Sequence, residues 1–292
     1  MTTDDTRDPL ISSVVDALTR DLDTAGILDP QVDAELLVGH VLQLSRGEVA
    51  AQIVLERTMS HQDAVRAHEL GARRAAREPL QHLTGLAYFR SLELAVGPGV
   101  FVPRPETELL AQIVIDHART LPDESPIVVD VGAGSGAIAL SVATEVPYAQ
   151  VYAIEKSPDA FAWTSRNMTG LGVTNVTLVL SDLVDALPDL TGQCAVVVSN
   201  PPYIPDDAIP RDAEVRLHDP QMALYGGPDG LDVVRVLAVM AARLVRPGGL
   251  LAIEHGELQG AQVTEILRST GWRAVATHTD LLGRDRYTTA LR

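Results

Sequence analysis

The chain has 292 residues, with 39 Asp plus Glu against 23 Lys plus Arg and a formal net charge of −16. A hydrophobic content of 46% supports a substantial core, while the acidic balance argues against a binder of nucleic-acid phosphates, which needs clustered Lys and Arg. The charge permits a basic protein partner or simply keeps the chain soluble.

No apolar run reaches the length of a membrane span, so no membrane association is expected. The acidic opening MTTDDTRDPL does not read as a secretory signal. Cys194 is the only cysteine, which excludes an intrachain disulfide and a thiolate metal cluster. A cytoplasmic location is expected.

The length fits one large or two modest domains. Residues 1–85 read as a small helical bundle. Apolar positions recur at three- and four-residue steps in LISSVVDALTRDLDTAGI and in VDAELLVGHVLQL. A third helical segment, SHQDAVRAHELGARRAAR, starts with Ser60 as a candidate N-cap and ends before Pro79. The alternating stretch LAYFRSLELAVGPGVFVP predicts a β-hairpin linker over residues 86–104.

Residues 105–292 change to strands alternating with helices. ETELLAQIVIDHART reads as a helix, IVVDVG as a strand, GSGAIALSVATEV as a helix, QVYAIE as a strand and PDAFAWTSRNMTGLG as a helix. VTLVLSD, CAVVVSN and LLAIEHG follow as strands, with the helix LDVVRVLAVMAARLV before the last. A final helix and the strands WRAVATHTD and RYTTALR close the chain. This order predicts a mostly parallel, doubly wound α/β sheet.

In VVDVGAGSGAIAL, Gly132, Gly134 and Gly136 follow a strand and open a helix. Glycine there permits left-handed turns and close approach of a ligand to the backbone. Glu155 ends the next strand, where a carboxylate suits both hydroxyls of a ribose. With Ala137 the pattern also fits a dinucleotide fingerprint, so a nicotinamide or flavin reading stays open. Asp182 ends the third strand, placed either to accept from an adenine amino group or to cap a helix.

The stretch VVVSNPPYI begins as a buried strand and ends in Asn200, Pro201, Pro202 and Tyr203. Adjacent prolines supply no N–H, so the ladder stops there. The Asn200 side-chain carbonyl and the Pro201 backbone carbonyl are two acceptors on rigid stems, suited to both hydrogens of an NH₂ group, with Tyr203 as an aromatic wall. A planar amide or exocyclic amine is the natural guest. Such a nitrogen gains positive charge as it attacks an electrophilic methyl, and acceptors already in place stabilise that charge.

The order of glycine loop, acidic strand end and N-P-P-Y resembles the amino-methyltransferases that use S-adenosylmethionine. REPLQHLTGLAYFRSLELAV, GVFVPRPETELL, SNPPYIP, GGPDGLDVVR, IEHG and DLLGRDRY are together similar to the bacterial release-factor glutamine N5-methyltransferases, the PrmC/HemK type. The likeness runs from about Glu78 to Tyr287.

The resemblance implies a class I S-adenosylmethionine-dependent methyltransferase, Rossmann-like with a seven-stranded mostly parallel sheet, joined to an N-terminal helical domain that recognises substrate. It implies that Gly132, Ala133, Gly134, Ser135 and Gly136 line the methionine and ribose parts of the cofactor, and that Glu155 holds the ribose. Asp182 and Leu183 would flank the adenine, with Phe101 near the cofactor pocket beside Arg104 and Glu106, whose roles stay unassigned. Asn200 would face both cofactor and substrate. Asn200, Pro201 and Tyr203 would be catalytic, and with Pro202 would bind the substrate glutamine, in the Gly-Gly-Gln loop of a class I peptide-chain release factor.

S-adenosylmethionine would leave as S-adenosyl-L-homocysteine, with no metal and no nucleic-acid target, and a monomer is expected. Glu155 stands where many relatives have Asp, and Leu183 where some have an aromatic.

Three rivals are weighed against this. Adenine N6-methylation of DNA or RNA would use a similar N-P-P-Y but needs base flipping and a basic face. A nicotinamide-dependent oxidoreductase explains only the glycine loop, and a non-catalytic adaptor explains neither motif. His255 in IEHG reads as structural and Cys194 as core.

Overall fold

The computed structural model describes residues 8–292. The first seven residues, which hold most of the acidic opening, lie outside the described residues. The described chain divides into two compact units, one of residues 8–85 with 211–218 and one of residues 86–210 with 219–292.

The first unit is helical: α1 (Ile11–Thr24), α2 (Pro30–Leu42), α3 (Arg46–Val54), α4 (His61–Ala75) and α5 (Leu80–Thr84). One stripe of α1 (Ile11, Val14, Val15, Leu18, Leu22) buries against Ala34, Val38 and Val41 of α2 and Ala64 and Ala67 of α4. That is the spacing of an amphipathic helix. Ser60 caps α4 by accepting from the Asp63 N–H, as expected, but the helix ends at Ala75, two residues short of the segment read from sequence. Helix α3, not expected from periodicity, starts with a reciprocal capping box between Ser45 and Glu48.

In the second unit, β1 (Leu86–Phe89) and β2 (Leu92–Ala95) form an antiparallel hairpin outside the main sheet. Then follow α6 (Thr107–Thr120), β3 (Ile127–Val131), α7 (Ala137–Glu145), β4 (Gln150–Glu155), α8 (Pro158–Leu171), β5 (Val176–Leu180) and β6 (Cys194–Ser199). The short α9 (Ala213–His218) belongs to the first unit. After it come α10 (Asp232–Leu244), β7 (Val245–Glu254), α11 (Gly260–Ser269), β8 (Arg273–Thr279) and β9 (Asp285–Leu291).

The seven main strands lie in the order β5-β4-β3-β6-β7-β9-β8. All pairs are parallel except those made by β9 with β7 and β8. The expected mostly parallel, doubly wound sheet is therefore present, with seven strands. Alternate residues of each central strand feed opposite cores: Val196 and Val198 join α6 and α7 on one face. Val197 joins α10 and α11 on the other. Burial on both faces explains why β3 and β6 read as continuous apolar runs rather than alternating ones. Among the described residues, no helix is long and apolar enough to cross a membrane.

The order reverses between β3 and β6, whose neighbours run outward in opposite directions. Ligands of open α/β sheets bind at such a point, beyond the C-terminal ends of the strands. Register pairs Val131 with Ser199 and Ser199 with Ile253, so the next residues, Gly132, Asn200 and Glu254, leave three adjacent strands at one level. Val131 also pairs with Ile154, which brings Glu155 to the same edge.

Candidate active site

The loop after β3 is held open by its own backbone. Gly132, Gly134 and Gly136 have φ of 75°, 60° and 85°. A Cβ on Gly132 would meet nothing within 4 Å, and one on Gly134 only its own loop at 4.0 Å. These two positions border open space, whereas a Cβ on Gly136 would strike Leu140 at 2.8 Å. The first two glycines leave room for a ligand and the third allows close packing of α7.

Neighbouring side chains fix this loop. The Gly132 and Ala133 N–H groups donate to the Ile154 carbonyl. Thr164 Oγ1 donates to the Gly134 carbonyl at 2.7 Å and Asn167 Nδ2 to the Ser135 carbonyl at 2.9 Å. Asn167 also binds both backbone groups of Ala95, tying the loop to the hairpin. Ala133 and Ser135 are buried.

Glu155 is buried, and both its oxygens already accept backbone N–H groups: Gly134 at 2.8 Å and Ser157 at 2.7 Å. Each carboxylate oxygen keeps a further lone pair for a hydroxyl. Asp130, on β3, accepts from the Ala139 N–H at 3.0 Å through Oδ2, while its buried Oδ1 has no partner. Burial pushes the Asp130 carboxyl up to about 7.

Asp182 and Leu183 lie beyond β5. Asp182 pairs with Lys156 at 2.7 Å and accepts from the Val184 N–H. Lys156 holds its carboxyl below the usual range. A turn, not a helix, follows Asp182, so the helix-cap alternative is corrected to an Asx-type turn. Leu183 packs against the core cluster of α10 and α11. Phe101 lies in the segment after the hairpin, with the Arg104 guanidinium 4.8 Å from its ring centroid.

At the end of β6, Asn200 Nδ2 donates to Thr107 Oγ1 at 3.2 Å, and Thr107 Oγ1 donates to Glu254 Oε2 at 2.8 Å. Burial lifts the Glu254 carboxyl to about 7. Tyr203 is pushed to about 12 by burial and then by the Glu254 charge, so its phenol stays neutral.

The N-P-P-Y backbone is gripped from behind. Gln259 Nε2 donates to the Tyr203 carbonyl at 2.9 Å, and Ile204 exchanges backbone hydrogen bonds with Leu224 and Gly226. A Cβ on Gly226 would lie 2.5 Å from the Pro202 carbonyl oxygen, and one on Gly230 2.2 Å from that of Tyr203. The glycines of GGPDG thus let one backbone lie directly against the other.

Arg104 pairs with Asp219 at 2.8 Å and Glu106 with Arg284 at 3.4 Å, giving both residues of VPRPETE structural partners. Thr107, Asp130, Glu254, Gly226, Gly230 and Gln259 were not singled out from sequence. Only the motif strings containing most of them were. His255 is buried, its Nδ1 donating to the Gly256 carbonyl and its Nε2 accepting from Thr288. Cys194 is buried, and desolvation lifts its thiol to about 12, which leaves it inert.

The chain matches two family models, the PrmC N-terminal domain over residues 13–85 and the methyltransferase small domain over residues 92–218. A solved methyltransferase from Pyrococcus furiosus is 20% identical and covers 75% of this chain and 98% of its own, with a TM-score of 0.52, a likeness of fold. The sheet order and the glycine loop at its reversal point define a class I S-adenosylmethionine-dependent methyltransferase fold.

The release factor glutamine methyltransferase of Streptomyces coelicolor is 48% identical over 284 residues, spanning 96% of this chain and 97% of that relative. That of Mycolicibacterium smegmatis is 43% identical over 286 residues, spanning 97% and 98%. The chain belongs to the release factor glutamine methyltransferase family.

Proposed function

We propose that this chain moves a methyl group from S-adenosylmethionine to the side-chain amide nitrogen of the glutamine in the Gly-Gly-Gln loop of class I peptide-chain release factors. The observation that carries the reading is the position of Asn200 just past the end of the strand beside the glycine loop, one residue beyond the Val131–Ser199 pair.

Gly132 to Gly136 and Glu155 would hold the methionine and ribose of the cofactor, with Asp182 and Leu183 flanking the adenine and Phe101 near the cofactor pocket. The open space at Gly132 and Gly134 and the spare lone pairs of Glu155 fit such a guest. When bound, the cofactor supplies an electrophilic methyl on sulfonium and leaves as S-adenosyl-L-homocysteine.

The Asn200 side-chain carbonyl and the Pro201 carbonyl accept the two amide hydrogens of the glutamine, and Pro202 and Tyr203 wall its planar face. As the nitrogen attacks, its N–H groups become more acidic and these acceptors bind them more tightly. Fixing nitrogen and methyl in line lowers the barrier further, by several kcal/mol and up to about 7–11 in favourable cases.

The N-terminal helical unit is read as the part that recognises the body of the release factor, and the enzyme as a cytoplasmic monomer with no nucleic-acid target. The net charge of −16 suits a basic protein partner better than a phosphate backbone. Incubation with methyl-labelled S-adenosylmethionine, a class I release factor and, separately, DNA at low salt tests this. Label on the release factor alone is expected. Label on adenine in the DNA would overturn the reading.

A further inference from the structure

Thr107, at the start of α6, and Glu254, at the end of β7, stand behind Asn200. Both are almost fully buried, at 5% and 2% exposure, so water does not compete for their hydrogen bonds. Thr107 Oγ1 lies 2.8 Å from Glu254 Oε2 and 3.2 Å from Asn200 Nδ2.

A threonine hydroxyl carries one hydrogen. Facing an ionised carboxylate, which only accepts, that hydrogen must go to Glu254. The hydroxyl then offers Asn200 nothing but lone pairs. Asn200 is obliged to turn its NH₂ to Thr107, and its Oδ1 is left pointing away from this pair. The direction follows from counting hydrogens.

We propose that Thr107 and Glu254 are positioning residues that set which end of the Asn200 amide meets the substrate nitrogen. The inference rests on the amide-gripping reading of Asn200 given above. With the amide reversed, an NH₂ would face the NH₂ of the incoming glutamine, donor against donor, and the developing positive charge would lose its acceptor. The relay therefore acts on turnover and leaves cofactor affinity alone.

The groups facing Glu254 are Thr107 and Glu106 from the start of α6, Asn200 from the end of β6 and Arg286 from β9, with Tyr203 close by. Burial and Glu106 favour the protonated acid, while Thr107, Arg286 and Asn200 favour the carboxylate. A protonated Glu254 can donate to Thr107, which frees the threonine hydrogen for Asn200 Oδ1 and lets the amide take either direction. The productive direction is thus fixed only in the ionised state, and turnover falls as the pH drops through neutrality.

The test compares Thr107→Val, Thr107→Ser and Glu254→Gln with the wild-type chain. Methyl transfer to a release factor is followed from pH 6 to 8, with S-adenosylmethionine affinity measured alongside. Side-chain NH₂ resonances of ¹⁵N-asparagine-labelled protein, assigned by the signal missing in Asn200→Ala, report the amide without any substrate.

Thr107→Val is expected to lower kcat roughly 10- to 100-fold while cofactor affinity stays within about twofold, and Thr107→Ser to stay within about threefold of wild type. Wild type should show an acid limb that Glu254→Gln lacks, and its Asn200 NH₂ resonances should titrate over the same range only while both residues are present. Wild-type turnover in Thr107→Val, or Asn200 resonances indifferent to both substitutions and to pH, overturns the inference. If the wild-type chain methylates no release factor, the substrate reading fails, and the resonances alone decide this one.

Discussion

Glu155, ending β4, accepts the backbone N–H of Gly134 at 2.8 Å, so the carboxylate of one strand end fixes the loop that leaves the neighbouring strand. A residue first read as a ribose acceptor is also a clamp on the glycine loop. Its other oxygen holds the Ser157 N–H ahead of α8. The shape of the proposed cofactor site and one of its binding groups therefore depend on a single side chain.

Glu155→Ala should weaken S-adenosylmethionine binding by about 10- to 100-fold, the range for losing hydrogen bonds to a charged group. Calorimetry measures this directly. Unchanged affinity would place the ribose elsewhere.

Asn200→Ala should separate binding from chemistry. Cofactor affinity is expected to stay near the wild-type value while kcat falls roughly 100- to 1000-fold, as when one preorganised polar group is removed from a transition-state site. Turnover close to wild type would reject the amide grip.

Gly230→Ala tests the backbone support of the N-P-P-Y turn. Its Cβ would fall 2.2 Å from the Tyr203 carbonyl oxygen, at a φ of +76° that disfavours side chains. The backbone must move, and Tyr203 with it. Turnover should drop at least about tenfold with cofactor binding retained, since a displacement near 1 Å in a reacting geometry has large kinetic cost. Equal loss of both would show that the substitution disrupts the fold.

These residues differ in how openly the sequence displays them. The glycine loop, Glu155 and N-P-P-Y are local signals, each within a few residues of a strand end, and their strands are apolar runs. The support is not local. Thr107 meets Glu254 across 147 positions and Arg104 meets Asp219 across 115, contacts that exist only in the folded chain. Helix α3 buries just Val49 and so leaves little periodicity in the sequence. The GGPDG string is visible as a motif, but its close approach to Pro202 and Tyr203 is a property of folded backbone.

The buried Glu254 carboxyl also sets a pH dependence of stability. Its folded value is raised to about 7 from the ordinary 4.5, so between these limits the folded state keeps a proton that the unfolded chain releases. Its contribution to stability is therefore lost as pH rises through that window. Glu254→Gln should gain stability relative to wild type between pH 5 and pH 8, by on the order of 3 kcal/mol at most. Urea unfolding at both pH values measures the difference. A constant difference would mean that the group titrates normally.

The helical unit exposes Leu28, Val54 and Leu55 at 94%, 81% and 60%. If this unit recognises the release factor, changing these three to Ser should raise KM for the intact factor about tenfold, roughly the effect of losing one modest anchor. KM for a short Gly-Gly-Gln peptide should not move. Equal effects on both substrates would assign the surface no recognition role.

The central claim is that a methyl group reaches the glutamine amide. Its most direct test is peptide mass spectrometry of a purified class I release factor after incubation with this chain and S-adenosylmethionine. The account predicts a gain of one methyl, located on the glutamine of the Gly-Gly-Gln peptide and missing when Asn200→Ala is used. A methyl gained at any other residue, or no gain while the cofactor binds, would contradict it.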